Sequence, residues 1–293
     1  MPTLLAVPNF SEGRDQLLVD RVSAQFAAAA KLLDSHSDTV HNRTVLTLAG
    51  APGRLGETLA RGAGACAVSI DMRRHEGAHP CIGALDVCPV VFLDAGDREL
   101  AREEAMAVAR AIAGDGIPVF FYGELASDEG RRERAYFRAG GLARLRERMA
   151  TGELSPDLGP PEPHPSAGAT LVTARPPLAA FNVILKGGGI EQGREIAAEL
   201  RESGGGLAGV RAIAIDLGGA GVQVSTNVHD PIAVPLGAVV ERIRELAEPR
   251  GAHPAGGELI GLVPEAALAG YPTDVPIAGF DFDRHLIERR LPR

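Results

Sequence analysis

The sequence predicts an α/β (α+β) protein built as two successive α/β subdomains, each a mostly antiparallel sheet backed by helices. Three observations carry that prediction. Apolar residues recur at helical spacing in several separate stretches. Short runs rich in Val, Leu, Ile and Thr lie between them and read as strands. A proline-rich stretch over 152–168 then separates two runs of elements in similar order, without a clear internal sequence repeat.

Thr3-Leu-Leu-Ala-Val-Pro8 reads as a short strand ended by the turn-like Asn9-Phe-Ser-Glu-Gly13. Leu18, Val22 and Phe26 fall at i, i+4 and i+8, the stripe of a helix that buries one face. Lys31–Asp34 and Arg43–Leu48 look like strands around a loop from Ser35 to Asn42, and a helix is expected over 53–68. Val87–Leu93 reads as a strand. Ala101, Ala105, Val108 and Ile112 keep helical spacing up to Gly114, and Pro118–Tyr122 follows as a strand. The Arg/Glu-rich segment 123–150 is expected to be an exposed, partly helical surface.

Gly152–Gly168 contains Pro156, Pro160, Pro161, Pro163 and Pro165, which exclude a helix interior or central strand and suit an ordered linker. After it come strands near 169–173 and 179–186, a helix at 190–202, and strands at 209–217 and 221–228. A helix follows through Leu236, Val239, Val240, Ile243 and Leu246. In strand 221–229, Val222, Val224, Thr226 and Val228 alternate with Gln223, Ser225, Asn227 and His229. One face turns to a core, and the other is a solvated surface or a polar pocket wall.

Composition bounds the function. With 45% hydrophobic and 23% charged residues the chain is an ordinary globular protein, and 293 residues allow one large or two medium units. A net charge of −8 argues against general nucleic-acid binding. No apolar run approaches a membrane span, the N-terminal residues lack a basic region and a long apolar stretch, and three cysteines suit a reducing compartment. A cytoplasmic location is therefore expected.

Chemistry concentrates in Asp71–Pro89, which carries Arg73, Arg74, His75, Glu76, His79 and Asp86 among Gly77, Pro80, Gly83 and Pro89. His75-Glu-Gly-Ala-His79 matches the H-E-x-x-H pattern of zinc peptidases. That pattern needs a helix, which Gly77 and Pro80 oppose, so the match is coincidental and no metal is expected. Without a metal, a histidine here is a candidate general acid/base, and the adjacent Arg73 and Arg74 should lower the pKa of a nearby imidazole. The residues alone do not say which histidine acts. Cys81 and Cys88 are candidate nucleophiles or packing residues, and His36 and His41, in the Ser35–Asn42 loop, could reach a pocket but are expected on a surface loop. Gly187–Gly189 and Gly204–Gly206 fit no phosphate-loop spacing.

Val7-Pro-Asn-Phe-Ser-Glu-Gly13, His41-Asn-Arg-Thr-Val45, Ile70-Asp-Met72, His75–Pro80 and Gly83-Ala-Leu-Asp-Val-Cys-Pro89 resemble the glutamate formimidoyltransferase (formiminotransferase) family. So do Pro156-Asp-Leu-Gly-Pro160, Gly168-Ala169, Ala180-Phe-Asn182, Gln223-Val-Ser-Thr-Asn227 and Gly261-Leu-Val-Pro264, so the resemblance runs nearly end to end. It is similar to the formiminotransferase portion of formimidoyltransferase-cyclodeaminase. It implies an N-terminal subdomain over 1–178, a C-terminal subdomain over 179–293, and a substrate groove between them. The implied reaction moves the formimidoyl group from N-formimidoyl-L-glutamate to N5 of tetrahydrofolate, the co-substrate, in histidine degradation.

The resemblance matches His79 to the catalytic base. It matches Pro160, Pro161, Glu162, Pro163, His164, Pro165, Ser166, Ala167, Gly168 and Ala169 to the folate-binding segment. Arg43, Arg73, Arg74 or Lys186 should supply positive charge for the substrate carboxylates. A homodimer and a separate cyclodeaminase acting on the product are among the expected partners. Three positions depart from the family pattern: Cys81 stands where Arg is usual, His36 where bifunctional members commonly have Asp, and Ala167 where they have Trp. The alternatives are a 5-formyltetrahydrofolate cyclo-ligase-type enzyme on the same scaffold and a non-catalytic folate-binding protein.

Overall fold

In the computed structural model, which describes residues 2–291, strands β1 (Leu4–Ala6) and β2 (Asn9–Phe10) form one interrupted line through the first sheet. Pro8 has no N–H to give to a ladder, but its carbonyl accepts from Leu46 N at 3.0 Å, and Val7 N donates to Pro89 O at 3.1 Å. The turn expected at Asn9 is thus the second half of a strand. After helix α1 (Gln16–Phe26), β3 (Lys31–Asp38) and β4 (Arg43–Gly50) make a hairpin, with β3 reaching four residues further than its apolar run suggests. Helix α2 (Arg54–Ser69), strand β5 (Leu85–Val91), helix α3 (Arg98–Gly114) and strand β6 (Val119–Phe121) follow. The segment closes with helices α4 (Arg134–Arg138) and α5 (Gly141–Ala150) and strand β7 (Thr170–Arg175).

The sheet runs β3, β4, the β1/β2 line, β5, β7, β6. Its pairs are antiparallel except β5–β7 and β6–β7, which are parallel. Phe26, Leu59, Cys66, Val108 and Ile112 from α1, α2 and α3 pack on one face. On the other, Phe120, Phe137, Leu145, Met149 and Leu154 form a second cluster with Val87 and Leu171. All of β5 is buried as a result. The Arg/Glu-rich segment is therefore not simply an exposed surface: Phe137 of α4 with Leu145 and Met149 of α5 cover the sheet.

The chain divides into two units, one ending at Pro176 and the other beginning at Pro177. In the second, β8 (Ala179–Lys186), α6 (Ile190–Leu200), β9 (Val210–Asp216), β10 (Val222–Val228), α7 (Leu236–Ala247) and β11 (His253–Ile260) are followed by short helices α8 (Phe282–His285) and α9 (Ile287–Arg290). The sheet order is β11, β8, β10, β9, antiparallel throughout. Phe181, Val183, Val224 and Val228 meet Ile196, Val239, Val240 and Ile243 in its core. On the opposite side of β10, Ser225 stands across from Asn182, which donates to Glu258 on β11 at 2.8 Å, a polar row across three strands. β11 has no counterpart in the sequence reading, because Pro254, Gly256 and Gly257 depress strand propensity. They are tolerated on an edge strand, where the register shifts between Pro254 and Gly256.

Candidate active site

A break in strand pairing sets up the site. Asn9 pairs with Val87 and Phe10 with Leu85, which leaves Asp86 as the extra residue of a bulge in β5. A bulge re-aims the side chain it carries. The Asp86 carboxylate, fully buried, accepts from Arg43 Nη1 at 2.7 Å, from Arg138 Nη2, and from the Ile82 amide at 3.0 Å. Burial alone would raise its pKa. The charges of Arg138 and Arg43 and these hydrogen bonds overcome that and hold it well below the usual carboxylate range. Arg43, the first residue of β4, also donates to Asn9 Oδ1 from Nε at 3.1 Å and Nη2 at 2.6 Å. Four elements thus meet at one ion-pair cluster.

His79 lies against this cluster, partly buried, with Nδ1 3.4 Å from Arg43 Nη1. The guanidinium can only donate, so the neutral ring presents its lone pair at Nδ1 and carries its proton on Nε2. Burial, then Arg43 and Arg138, push the pKa of the ring down to about 2. The cations responsible are remote in sequence. Arg73, expected to exert this effect, is exposed and donates to Asp71 at 2.8 and 2.7 Å, and Arg74 is also exposed.

The loop carrying His79 rests on the β3–β4 turn. Ala78 N donates to Val40 O at 3.1 Å, and a Cβ on Gly77 would lie 2.3 Å from the His41 carbonyl oxygen, so only glycine permits the crossing. Asn42, left-handed at φ 48°, accepts from Gly13 N at 2.9 Å and donates to Glu76 O at 3.1 Å. Its Nδ2 also lies 3.4 Å from His75 Nδ1. The loop is not helical, so the helical-face argument for a zinc motif does not apply to it. His41, expected on a surface loop, is partly buried instead: its ring centroid is 6.2 Å from that of His79, edge-on, and its Nδ1 is 2.9 Å from Asp38 Oδ2.

The segment Pro160–Ala169 stands beside the same loop. His164 and Gly168 exchange backbone hydrogen bonds at 2.8 and 3.0 Å, and His164 Nδ1 accepts from the Ala167 amide at 3.0 Å. Ser166 O accepts from Met72 N at 2.7 Å, Ala167 O from Ala84 N at 2.8 Å, and Ile82 O from Ala169 N at 2.9 Å. Gly83 is the contact point, since a Cβ there would lie 1.9 Å from Ala169 O. Ile82 bonds in turn to Asp86, so segment, ion-pair cluster and His79 are joined by one chain of contacts. Pro161, Glu162 and Pro165 are exposed, whereas Ala167, Gly168 and Ala169 are buried anchors.

Of the remaining candidates, Cys88 is fully buried with its thiol pushed up to about 12, and burial together with the Asp86 charge raises Cys81. Both therefore stay protonated near neutral pH, which removes the thiolate a nucleophile needs. His36 faces Val45 across the hairpin, and Lys186 ends β8 at an exposed position. Arg138, Asn9 and Asp38 did not emerge as site residues from the sequence. The signal for Arg138 was its neighbour Phe137, an apolar residue that anchors the helix inward.

The profile of the formiminotransferase domain, N-terminal subdomain, matches residues 3–175, and that of the formiminotransferase domain matches residues 180–271. The chain belongs to the formiminotransferase family. It is 34% identical over 97% of its length to a glutamate formimidoyltransferase of Streptococcus pyogenes, of which it covers 97%. A glutamate formimidoyltransferase of Thermoplasma acidophilum is 34% identical over 100% of this chain and 98% of that protein. The formimidoyltransferase-cyclodeaminase of Sus scrofa is 39% identical over 89% of this chain, which spans 50% of that longer protein. As a formiminotransferase, the chain matches the single-activity relatives nearly end to end.

Proposed function

We propose that the chain is a glutamate formimidoyltransferase, an enzyme that moves the formimidoyl group from N-formimidoyl-L-glutamate to N5 of tetrahydrofolate. The observation that carries this reading is the near end-to-end match with proteins of that name. The relatives above are all named for transfer, which sets the cyclo-ligase reading aside. Tetrahydrofolate is the co-substrate, held along Pro160–Ala169. The reaction serves histidine degradation, in the cytoplasm, with a separate cyclodeaminase acting on the product.

His79 is the catalytic residue of this reading. Attack of N5 on the amidine carbon leaves N5 cationic, and its proton must go before glutamate can depart. A base must start neutral, and the environment of His79 keeps it so across the working pH range. The ring takes the proton at Nδ1, whose lone pair Arg43 Nη1 meets only at 3.4 Å; it is a weak base, but the positive charge on N5 makes that proton easy to take. Arg43 and Arg138 then disfavour keeping that proton on His79, so it moves on.

Purified protein mixed with N-formimidoyl-L-glutamate and tetrahydrofolate should form 5-formimidoyltetrahydrofolate and free glutamate without a nucleotide. His79→Ala should lower kcat by ~10²–10⁴-fold, the usual contribution of a positioned acid–base group. A variant that turns over at the wild-type rate would remove His79 from the mechanism. Wild-type protein that binds folate without transfer would leave only the binding reading.

A further inference from the structure

The proton that leaves N5 needs somewhere to rest before it reaches the departing glutamate, and His79, facing two guanidiniums, is a poor place for it. The β3–β4 turn holds a better one. Asp38 Oδ1 accepts the backbone N–H groups of Val40 at 2.7 Å and His41 at 2.8 Å, which fixes its carboxylate. Its Oδ2 lies 2.9 Å from His41 Nδ1. An ionised carboxylate accepts only, so Nδ1 carries a proton and Nε2 presents a lone pair. That arrangement, a carboxylate orienting an imidazole whose other nitrogen is available, is how a catalytic histidine is held in its working tautomer and its charged form balanced. The ring stands edge-on to His79 with the centroids 6.2 Å apart.

We infer that His41, braced by Asp38, is a second acid–base residue of the transfer, holding the proton between its removal from N5 and its delivery to the glutamate nitrogen. This rests on the formimidoyltransferase reading. N5 attacks the amidinium carbon, and the C=N π pair becomes the lone pair of the terminal nitrogen. The proton of the cationic N5 goes to His79 Nδ1 as His79 gives its Nε2 proton to His41 Nε2, where Asp38 neutralises the charge. The relay then reverses: His41 returns a proton to His79 Nε2 as His79 Nδ1 gives its own to the glutamate nitrogen. The C–N bond breaks, its electron pair leaves on the amine, and the terminal nitrogen re-forms C=N on the transferred carbon. Enzyme and proton count return to their starting state.

Several charged groups surround His41. Asp38 belongs to its own turn, and Arg14 reaches over the turn to donate to Thr39 O at 2.9 Å. His79 and, behind it, Arg43 approach from the loop and β4. Among the described residues Asp38 is the anion paired with the His41 ring, so replacing it should change the charge balance of the ring most.

The test is the pH profile of kcat in the intact protein, with thermal melting as a folding control. His41→Gln should lower kcat at least ~10-fold and abolish the acidic limb, while KM changes little. Asp38→Asn keeps an oxygen for the two backbone N–H groups but removes the charge, and should move the acidic limb to lower pH. Added imidazole should restore part of the kcat of His41→Ala. A merely structural role would scale kcat equally at all pH values. Wild-type transfer with an unchanged acidic limb in both variants, or His41→Gln within twofold of wild type, overturns this inference alone. Absence of transfer in the wild type overturns the functional reading with it.

Discussion

Asp86 shows how one side chain can tie stability to function. Its fully buried carboxylate faces two guanidiniums, so Asp86→Asn leaves two largely buried cations without their anion. Breaking a buried pair in this way costs about 3–5 kcal/mol, and urea denaturation should show a loss of that order. Because its folded pKa is depressed, the stability it contributes is complete above about pH 4 and is lost as pH falls further. His79 acts over a higher window. Its folded pKa of about 2 lies below the ordinary imidazole value, so unfolding takes up a proton at this ring once the pH falls below about 6.5. Its contribution is therefore full above that value and declines below it. Between pH 7.5 and 5, His79→Asn should lose less stability than the wild type, and equal losses would refute the shift. The charged stretch around His79 and Asp86 was legible as a dense run of ionisable residues. Arg138, 52 positions from Asp86, was not, because a cation's partner is set by packing.

At the scale of elements, helices were the most legible feature, since α1, α2, α3 and α7 each bury a stripe that helical periodicity reveals. The features that make the site were less so. The β5 bulge depends on pairing with β2, and no local pattern at Leu85-Asp-Val87 announces it. The contact of the His75–Pro80 loop with the β3–β4 turn is likewise long-range, although Gly77 was its trace in the sequence. That contact is open to a direct test. In Gly77→Ala the new methyl meets the His41 carbonyl, and the loop must lift and carry His79 with it. Misplacing a catalytic group by about 1 Å can cost up to ~10²-fold in rate, so kcat should fall by tens of fold. The loop is mostly exposed and lies outside the core clusters, so melting should change little. Wild-type kcat would mean that the loop tolerates the displacement.

At the scale of the molecule, the two units each carry what a domain needs. The first has its own sheet with apolar clusters on both faces, and the second has a four-stranded sheet with α6 and α7 on its core. Two runs of elements were visible in sequence order. Strand partners were not: Thr170–Arg175 follows the proline-rich stretch yet pairs with β5 and β6 of the first sheet, through main-chain bonds indifferent to side-chain identity. A chain divided after Pro176 therefore keeps every strand of the first sheet, whereas a cut within the proline-rich stretch strips β7 from between β5 and β6. Residues 1–176 and 177–293, produced separately, should each unfold cooperatively in urea, since both exceed the size at which one core sustains a domain. A fragment of 1–155 should not, because the parallel part of its sheet would have lost its central strand. Cooperative unfolding of 1–155, or its absence in either larger fragment, would show that the cores are not organised as these contacts require.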